Sequence, residues 1–266
     1  MNTKFDELKI VEMYSNGLNT KQIAEEFNTY NTTIRRILVR HGVTLLSTRE
    51  RLRFVQSNPF KELDEKSDYF LGLLIADGCI HKNTITLGLK EEDVYMLDKF
   101  AKFCSPNLKV YKYFHTSHQK FQYQVSFRNQ EICDWLQTKA NFNNKSLTCK
   151  MYTPLNWDIL RGLSDGDGCF FTHNNTSNLG WDFANGSQEF CLQIMNFLKE
   201  NNIKSSLSYN HCWHIRVYKD AYKLGNLIYQ NSSLFLKRKY GIWAGYVEMH
   251  RKINHLNSGK VLEHQS

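Results

Sequence analysis

An eleven-residue segment occurs twice in this chain. Tyr69-Phe70-Leu71-Gly72-Leu73-Leu74-Ile75-Ala76-Asp77-Gly78-Cys79 returns as Ile159-Leu160-Arg161-Gly162-Leu163-Ser164-Asp165-Gly166-Asp167-Gly168-Cys169. Gly72 and Gly162, Asp77 and Asp167, and Cys79 and Cys169 each lie ninety residues apart. The residues after each copy also correspond. Thr84–Lys90 alternates, with Ile85, Leu87 and Leu89 on one face; Leu179, Trp181 and Phe183 do the same after the second copy. A helical pattern comes next, carried by Val94, Leu97, Phe100 and Ala101, then by Phe190, Ile194, Phe197 and Leu198. Alternation resumes at Phe121, Tyr123, Val125 and Phe127, and at Trp213, Ile215 and Val217. Each half closes on a helix, around Ile132–Leu136 and Ala221–Ile228. The order helix, two strands, helix, two strands, helix, written twice, predicts an α+β pseudo-dimer on one polypeptide.

Composition narrows the class. Hydrophobic residues make up 41% of 266, which excludes a disordered chain. Lys and Arg total 34 against 26 Asp and Glu, a formal charge of +8 with a pI near 9.0. That balance favours a polyanionic partner, nucleic acid ahead of anionic membrane. Seven cysteines without a C-x-x-C pair argue against a disulfide framework and against a four-cysteine zinc site. His211-Cys212-Trp213-His214 places candidate ligands together but lacks a second pair at zinc spacing. The longest apolar run, Tyr69–Ala76, is broken by Gly72 and stopped by Asp77, well short of the ~20 residues that span a bilayer. The start, MNTKFDELKIV, has no apolar core of a secretory signal. A soluble, intracellular protein with no membrane partner is expected.

Residues 1–45 read as three short helices. Leu8, Val11 and Tyr14 mark the first, which Asn16-Gly17 ends. Asn19 starts the second, with Gln22 placed for a capping box and Ile23, Ala24 and Phe27 on its apolar face. The third, near Asn31–Arg40, buries Ile34, Ile37 and Leu38 and presents Thr32, Thr33, Arg35, Arg36 and Arg40. This pattern suits a DNA-binding helix-turn-helix; a small bundle with a solvated basic face is the alternative. Residues 46–66, with Arg49, Arg51, Arg53 and Asn58-Pro59, read as a basic linker. Residues 67–150 and 151–249 hold the two repeats, and 250–266 a polar tail.

The repeated segment makes chemical demands. Gly72 and Ala76, and Gly162 and Gly166, are four apart and share a helix face, where small residues let two backbones approach. Each copy ends in Asp-Gly, the glycine suiting a left-handed position just past a helix. The aspartate is badly placed for stability, because a helix C-terminus carries partial negative charge. Pairing the helices brings Asp77 and Asp167 together and adds repulsion. A divalent cation relieves both problems, and hard oxygen ligands suit Mg2+. For one copy alone an ordinary turn would suffice. The strand positions facing away from the core, Thr84, Thr86, Lys90, Gln122, Gln124, Ser126, Arg128, His214 and Arg216, are types that read base edges or hold phosphates. Cys79 and Cys169 read as small buried residues where strands begin.

The motifs Phe70–Gly78 (FLGLLIADG) and Leu160–Gly168 (LRGLSDGDG) resemble those of the LAGLIDADG homing endonucleases, in the form with two motifs on one polypeptide. The first copy has Ile75 where the family pattern has its first acidic residue; Asp165 fills that place in the second. The resemblance covers about 180 residues, Ser67 to Glu248. It implies a pseudo-twofold αββαββα fold with saddle-shaped antiparallel sheets, here preceded by the small all-α unit. It also implies a monomer that binds double-stranded DNA and hydrolyses both strands of a long target. Mg2+, with Mn2+ as a substitute, would sit at Asp77 and Asp167 beside Gly78 and Gly168, with no zinc and no nucleotide cofactor. Asp165 would be structural. Asn143-Asn144-Lys145-Ser146 and Phe235-Leu236-Lys237-Arg238-Lys239 resemble the segments that supply a basic residue to each half, Lys145 and Lys239, with Lys237 two positions from the latter. Gly88 and Asp182 occupy the approximate places of a water-positioning strand residue. A non-catalytic DNA-binding regulator and an RNA maturase are the alternative readings of the same fold.

Overall fold

The computed structural model describes residues 5–15, 18–45, 55, 57–115, 120–172 and 178–262. Asn16-Gly17 and the arginines at 49, 51 and 53 lie outside the described residues. The N-terminal unit has helices α1 (Glu7–Ser15), α2 (Thr20–Glu26) and α3 (Asn31–Arg40) around its own core of Ile10, Tyr14, Ile23, Ala24, Ile34, Ile37 and Leu38. The capping box forms: Asn19 Oδ1 accepts from the N–H of Gln22 at 2.9 Å, and Gln22 Oε1 accepts from the N–H of Asn19 at 2.8 Å. In α1 the inward face differs from the expected one. Tyr14 is buried and Val11 packs against the core as expected, but Leu8 is 74% exposed and Ile10, four before Tyr14, is buried in its place. A spacing of three drifts off a 3.6-residue turn, whereas four stays on the stripe.

The repeat region builds one larger core. Its first half runs α4 (Glu65–Asp77), β1 (Gly78–His81), β2 (Thr84–Leu89), α5 (Val94–Cys104), β3 (Tyr111–His115), β4 (Lys120–Arg128) and α6 (Gln130–Lys139), then a short α7 (Lys145–Thr148). The second runs α8 (Trp157–Asp167), β5 (Gly168–Thr172), β6 (Leu179–Asn185), α9 (Gln188–Glu200), β7 (Ser206–Asn210), β8 (Cys212–Val217) and α10 (Ala221–Tyr229), then α11 (Lys237–Leu262). Both sheets are antiparallel, with strand orders β1-β2-β4-β3 and β5-β6-β8-β7. The alternating residues Ile85, Leu87, Leu89, Leu179, Trp181 and Phe183 are all buried, as their pattern requires. Alternation fails at Phe121, which is 52% exposed and packs on exposed Phe114 at the outer end of the β3–β4 pair.

Two boundaries also shift. Val55 and Phe60 are buried in the main core, and Asn129 Nδ2 donates to the Val55 carbonyl at 2.7 Å, so the end of the 46–66 segment is packed. The stretch from 250 is not a separate tail, because helix α11 continues through it to Leu262. Among the described residues no helix is long and apolar enough to cross a membrane.

α4 and α8 pack face to face and side by side in the same direction. A Cβ on Gly72 would fall on the Ile159 carbonyl oxygen and stand 3.0 Å from the Leu163 nitrogen. One on Gly162 would fall on the Tyr69 carbonyl oxygen and stand 2.7 Å from the Leu73 nitrogen. One on Gly166 would strike the Ala76 methyl. Glycine inside a helix costs about 1 kcal/mol relative to alanine, and this backbone-to-backbone contact offsets it.

Candidate active site

The packed helices stop together, and their last residues are Asp77 and Asp167. Gly78 and Gly168 come next with extended backbone, φ −80° and −96°, not the left-handed conformation expected of them. Glycine is needed there for space. A Cβ on Gly78 would stand 2.7 Å from Leu74 Cδ2, and one on Gly168 2.8 Å from Ser164 Cα. Because the glycines take the inward slots, Cys79 and Cys169 alternate outward and are exposed, contrary to their expected burial.

The two carboxylates are close. A Cβ at Gly166, one residue before Asp167, would stand 3.1 Å from Asp77 Oδ2. Desolvation by the surrounding protein raises both acids, although Asp77 is partly open to solvent; Asp167 rises to about 6, and the Asp77 charge is the next largest cause of that rise. Lys145 and Lys239 oppose the rise at both carboxylates, Arg238 at Asp77, and a hydrogen bond with Asn185 at Asp167. Lys145 Nζ donates to the carbonyls of Ile75 at 2.8 Å, Leu74 at 3.3 Å and Ala76, closing the C-terminal end of α4 with a cation. Lys239 Nζ donates to the Gly168 carbonyl. Burial lowers the pKa of both lysines. Lys237 is turned elsewhere, with its ammonium 4.9 Å from the centre of the Tyr95 ring. Asp77, Lys239 and Arg238 line one open cleft of about 1320 Å³ that runs along the first sheet past Thr86, Gln122 and Gln124.

The donor set fits a hard divalent cation. Among the described residues no three His, Cys, Asp or Glu side chains converge into a metal-holding group. An ion at the aspartate pair would complete its shell from backbone carbonyls, water or phosphate, as Mg2+ commonly does.

Two residues of this site are not marked by any sequence pattern. Arg238 sits within a basic run; its Nε donates to buried Asp93 at 2.7 Å, which fixes it across the two halves. Asn185 precedes Gly186 and has the look of a turn residue. The buried ionic support shows in the sequence only as anomalies in an apolar helix. Arg161, 3% exposed, donates to the carbonyls of Leu234 and Ile228 and pairs with Asp158 and Glu65. Asp165 accepts from Tyr69 OH at 2.9 Å, Tyr229 OH at 3.0 Å and the N–H of Leu236 at 2.6 Å.

Strand pairing corrects one equivalence. Cys79 faces Thr86 and Cys169 faces Asp182, so Thr86 is the counterpart of Asp182, and Gly88 is not. Thr86, Gln124 and Ser126 share one face of the first sheet with Thr84, Gln122 and Arg128; Thr86 Oγ1 donates to Ser126 Oγ at 3.0 Å, leaving Ser126 covered. Lys90 comes directly after β2 and is exposed. On the second sheet Asp182 contacts His214 and Arg216. In the N-terminal unit Thr32, Arg35 and Arg36 are exposed and Thr33 is half-buried, while Arg40 pairs with Glu7 at 3.3 Å.

No protein-family model and no curated protein sequence matches the chain. Solved structures do. The homing endonuclease I-WcaI bound to its DNA recognition sequence aligns at TM-score 0.53 and 16% identity, covering 75% of this chain and 95% of that one. I-SmaMI, bound to an uncleaved DNA target in the presence of calcium ions, aligns at 0.51 and 10%, covering 74% and 93%. The LAGLIDADG meganuclease I-AabMI bound to uncleaved DNA aligns at 0.50 and 11%, covering 75% and 92%. The fold is therefore that of a two-motif LAGLIDADG protein, as the duplicated segments implied. Fold alone does not carry function, which has to be argued from the site.

Proposed function

We propose that the chain is a site-specific endonuclease that hydrolyses both strands of a duplex DNA target with divalent cations held by Asp77 and Asp167. Mg2+ is the proposed ion and Mn2+ its substitute. The observation that carries the reading is the meeting of two carboxylates at the ends of helices forced together by glycine, with Asp77 lining an open cleft that also presents Lys239 and Arg238. Cations bound there supply acidity to water and charge to the departing oxygen. The protein's own groups do the rest. Asp77 and Asp167 fix one reacting phosphate each, related by the pseudo-twofold axis. Lys145 and Lys239, anchored on backbone carbonyls, hold positive charge where negative charge grows on phosphorus-bound oxygens. Thr84, Thr86, Lys90, Gln122, Gln124, Arg128, His214 and Arg216 contact the duplex, and Thr32, Thr33, Arg35 and Arg36 extend the contact from the N-terminal unit as a helix-turn-helix. Arg40 reaches phosphate only by leaving Glu7. The DNA complexes of the structural neighbours support this reading.

The test is selection of cleaved sites from a randomised duplex library with Mg2+, then cleavage of the selected site. Linear product is expected from the wild type. Asp77→Asn and Asp167→Asn should each lower double-strand cleavage by about a hundredfold or more while DNA affinity persists. Binding without cleavage by the wild type would instead make the chain a DNA-binding regulator, and preference for structured RNA over duplex DNA in matched salt a maturase.

A further inference from the structure

The second sheet holds a thiol, an imidazole and a carboxylate in series, and the thiol has no part in the endonuclease reading. Cys212 and His214 are two apart on β8 and project to the same face as Arg216. Cys212 Sγ lies 3.4 Å from His214 Nε2, and His214 Nδ1 lies 3.1 Å from Asp182 Oδ1 and 3.2 Å from Oδ2. Arg216 Nε stands 3.6 Å from the same carboxylate. Thiol and carboxylate use opposite nitrogens of one ring. They are therefore in series and cannot chelate a common ion, which agrees with the lack of a metal-holding group among the described residues. A carboxylate can only accept, so the neutral tautomer that satisfies Asp182 carries its proton on Nδ1 and directs the Nε2 lone pair at the thiol.

The fold does not require this set. Strand register makes Gln122, Gln124 and Thr86 the first-half counterparts of Cys212, His214 and Asp182. Access is not blocked either: Cys212 is half-exposed and comes after His211, whose left-handed φ of +59° turns the β7–β8 hairpin. Cys79 and Cys169 are more exposed, but among the described residues neither has a histidine partner.

We propose that Cys212 is a nucleophilic modification site for peroxides and soft electrophiles, activated by His214 and positioned by Asp182. His214 Nε2 takes the thiol proton. The sulfur then attacks one oxygen of hydrogen peroxide; the S–O bond forms as the O–O bond breaks, and the departing hydroxide takes the proton from the imidazolium. The products are Cys212 sulfenic acid and water. With iodoacetamide the sulfur attacks the methylene carbon and iodide leaves. Modification puts new bulk on the sheet face that, in the endonuclease reading, lies against DNA, so it should weaken DNA binding.

The experiment is peptide-resolved alkylation of the full chain with iodoacetamide at neutral pH, with Cys79 and Cys169 as internal references. Cys212 should react about tenfold or more faster than either, despite lower exposure. His214→Gln should bring Cys212 down to the reference rates, and Asp182→Asn should slow it with His214 still present. Unchanged reference rates in both variants show that the sheet is intact. Equal reactivity of the three thiols in the wild type, or a fast Cys212 in both variants, would overturn the proposal. This readout needs no DNA, so it stands or falls apart from the endonuclease reading. A second arm compares DNA affinity before and after Cys212 alkylation in a chain carrying Cys79→Ser and Cys169→Ser. Loss of affinity is expected, and unchanged affinity of a chain that binds DNA would refute the regulatory part.

Discussion

The two halves share a backbone plan and differ in what supports it. At the helix pair they match: Gly72 and Gly162 each admit the other helix's backbone. One layer away they diverge. Leu71 and Ile75 of the first half correspond to Arg161 and Asp165, both buried and fully bonded. Leu74 and Ile85 correspond to Ser164 and Trp181, joined by a hydrogen bond of 2.9 Å from Trp181 Nε1. The first half is held by apolar contact and by Lys145 on three carbonyls; the second by a polar network reaching Tyr229, Leu234 and Leu236. Contact between backbones leaves no choice of residue and so stays symmetric. Side-chain support depends on the segment that continues each half. Only the second half has α11 after it, and Arg161 and Asp165 secure the segment leading into that helix.

The symmetric part should respond symmetrically. Gly72→Ala and Gly162→Ala each drive a methyl into a backbone carbonyl, and each should destabilise by about 3 kcal/mol or more in urea unfolding. A large effect from one and none from the other would show that the helix pair is not an equal partnership. The asymmetric part should not respond so. Asp165→Leu strands two buried hydroxyls and one N–H and should cost about 3 kcal/mol. Ile75→Leu, the matched change in the first half, should cost less than about 1.5 kcal/mol. Equal losses would mean that the network around Asp165 contributes nothing beyond packing.

Much of this is legible in the sequence because periodicity and duplication report backbone. The repeat locates both motif helices, the strands at Ile85–Leu89 and Leu179–Phe183, and the two aspartates. The features that escape it depend on where surfaces end. Phe121 alternates correctly yet runs past the core, and Cys79 is outward because the adjacent glycine fills the inward slot. Gly88 looks equivalent to Asp182 when position along the chain is the only ruler. Pairing with Cys79 and Cys169 is the true ruler, and it selects Thr86. Arg238 and Asn185 act through partners distant in the chain, Asp93 and Asp167, which local pattern cannot show.

The smallest effect tests the site's electrostatics. Asp167 and Asp165 have pKa values raised by burial, to about 6 and about 7, above the 3.8 of a free carboxyl. Between pH 4 and 7 the folded chain therefore binds more protons than the unfolded one, and stability from these groups falls as pH rises through that window. Asparagine does not titrate, so without divalent cations Asp167→Asn should match the wild type near pH 4 and exceed it at pH 8. At 1.36 kcal/mol per pKa unit the excess is at most about 3 kcal/mol, and about 1–2 is expected after relaxation. Mg2+ added at pH 8 should narrow the gap by binding the wild-type carboxylates and stabilising the folded state. The measurement is urea unfolding of both proteins at pH 4, 6 and 8 in chelator, then in Mg2+. Parallel curves would mean that Asp167 is as well solvated folded as unfolded. A gap untouched by Mg2+ would mean that the repulsion between Asp77 and Asp167 is not what a cation relieves.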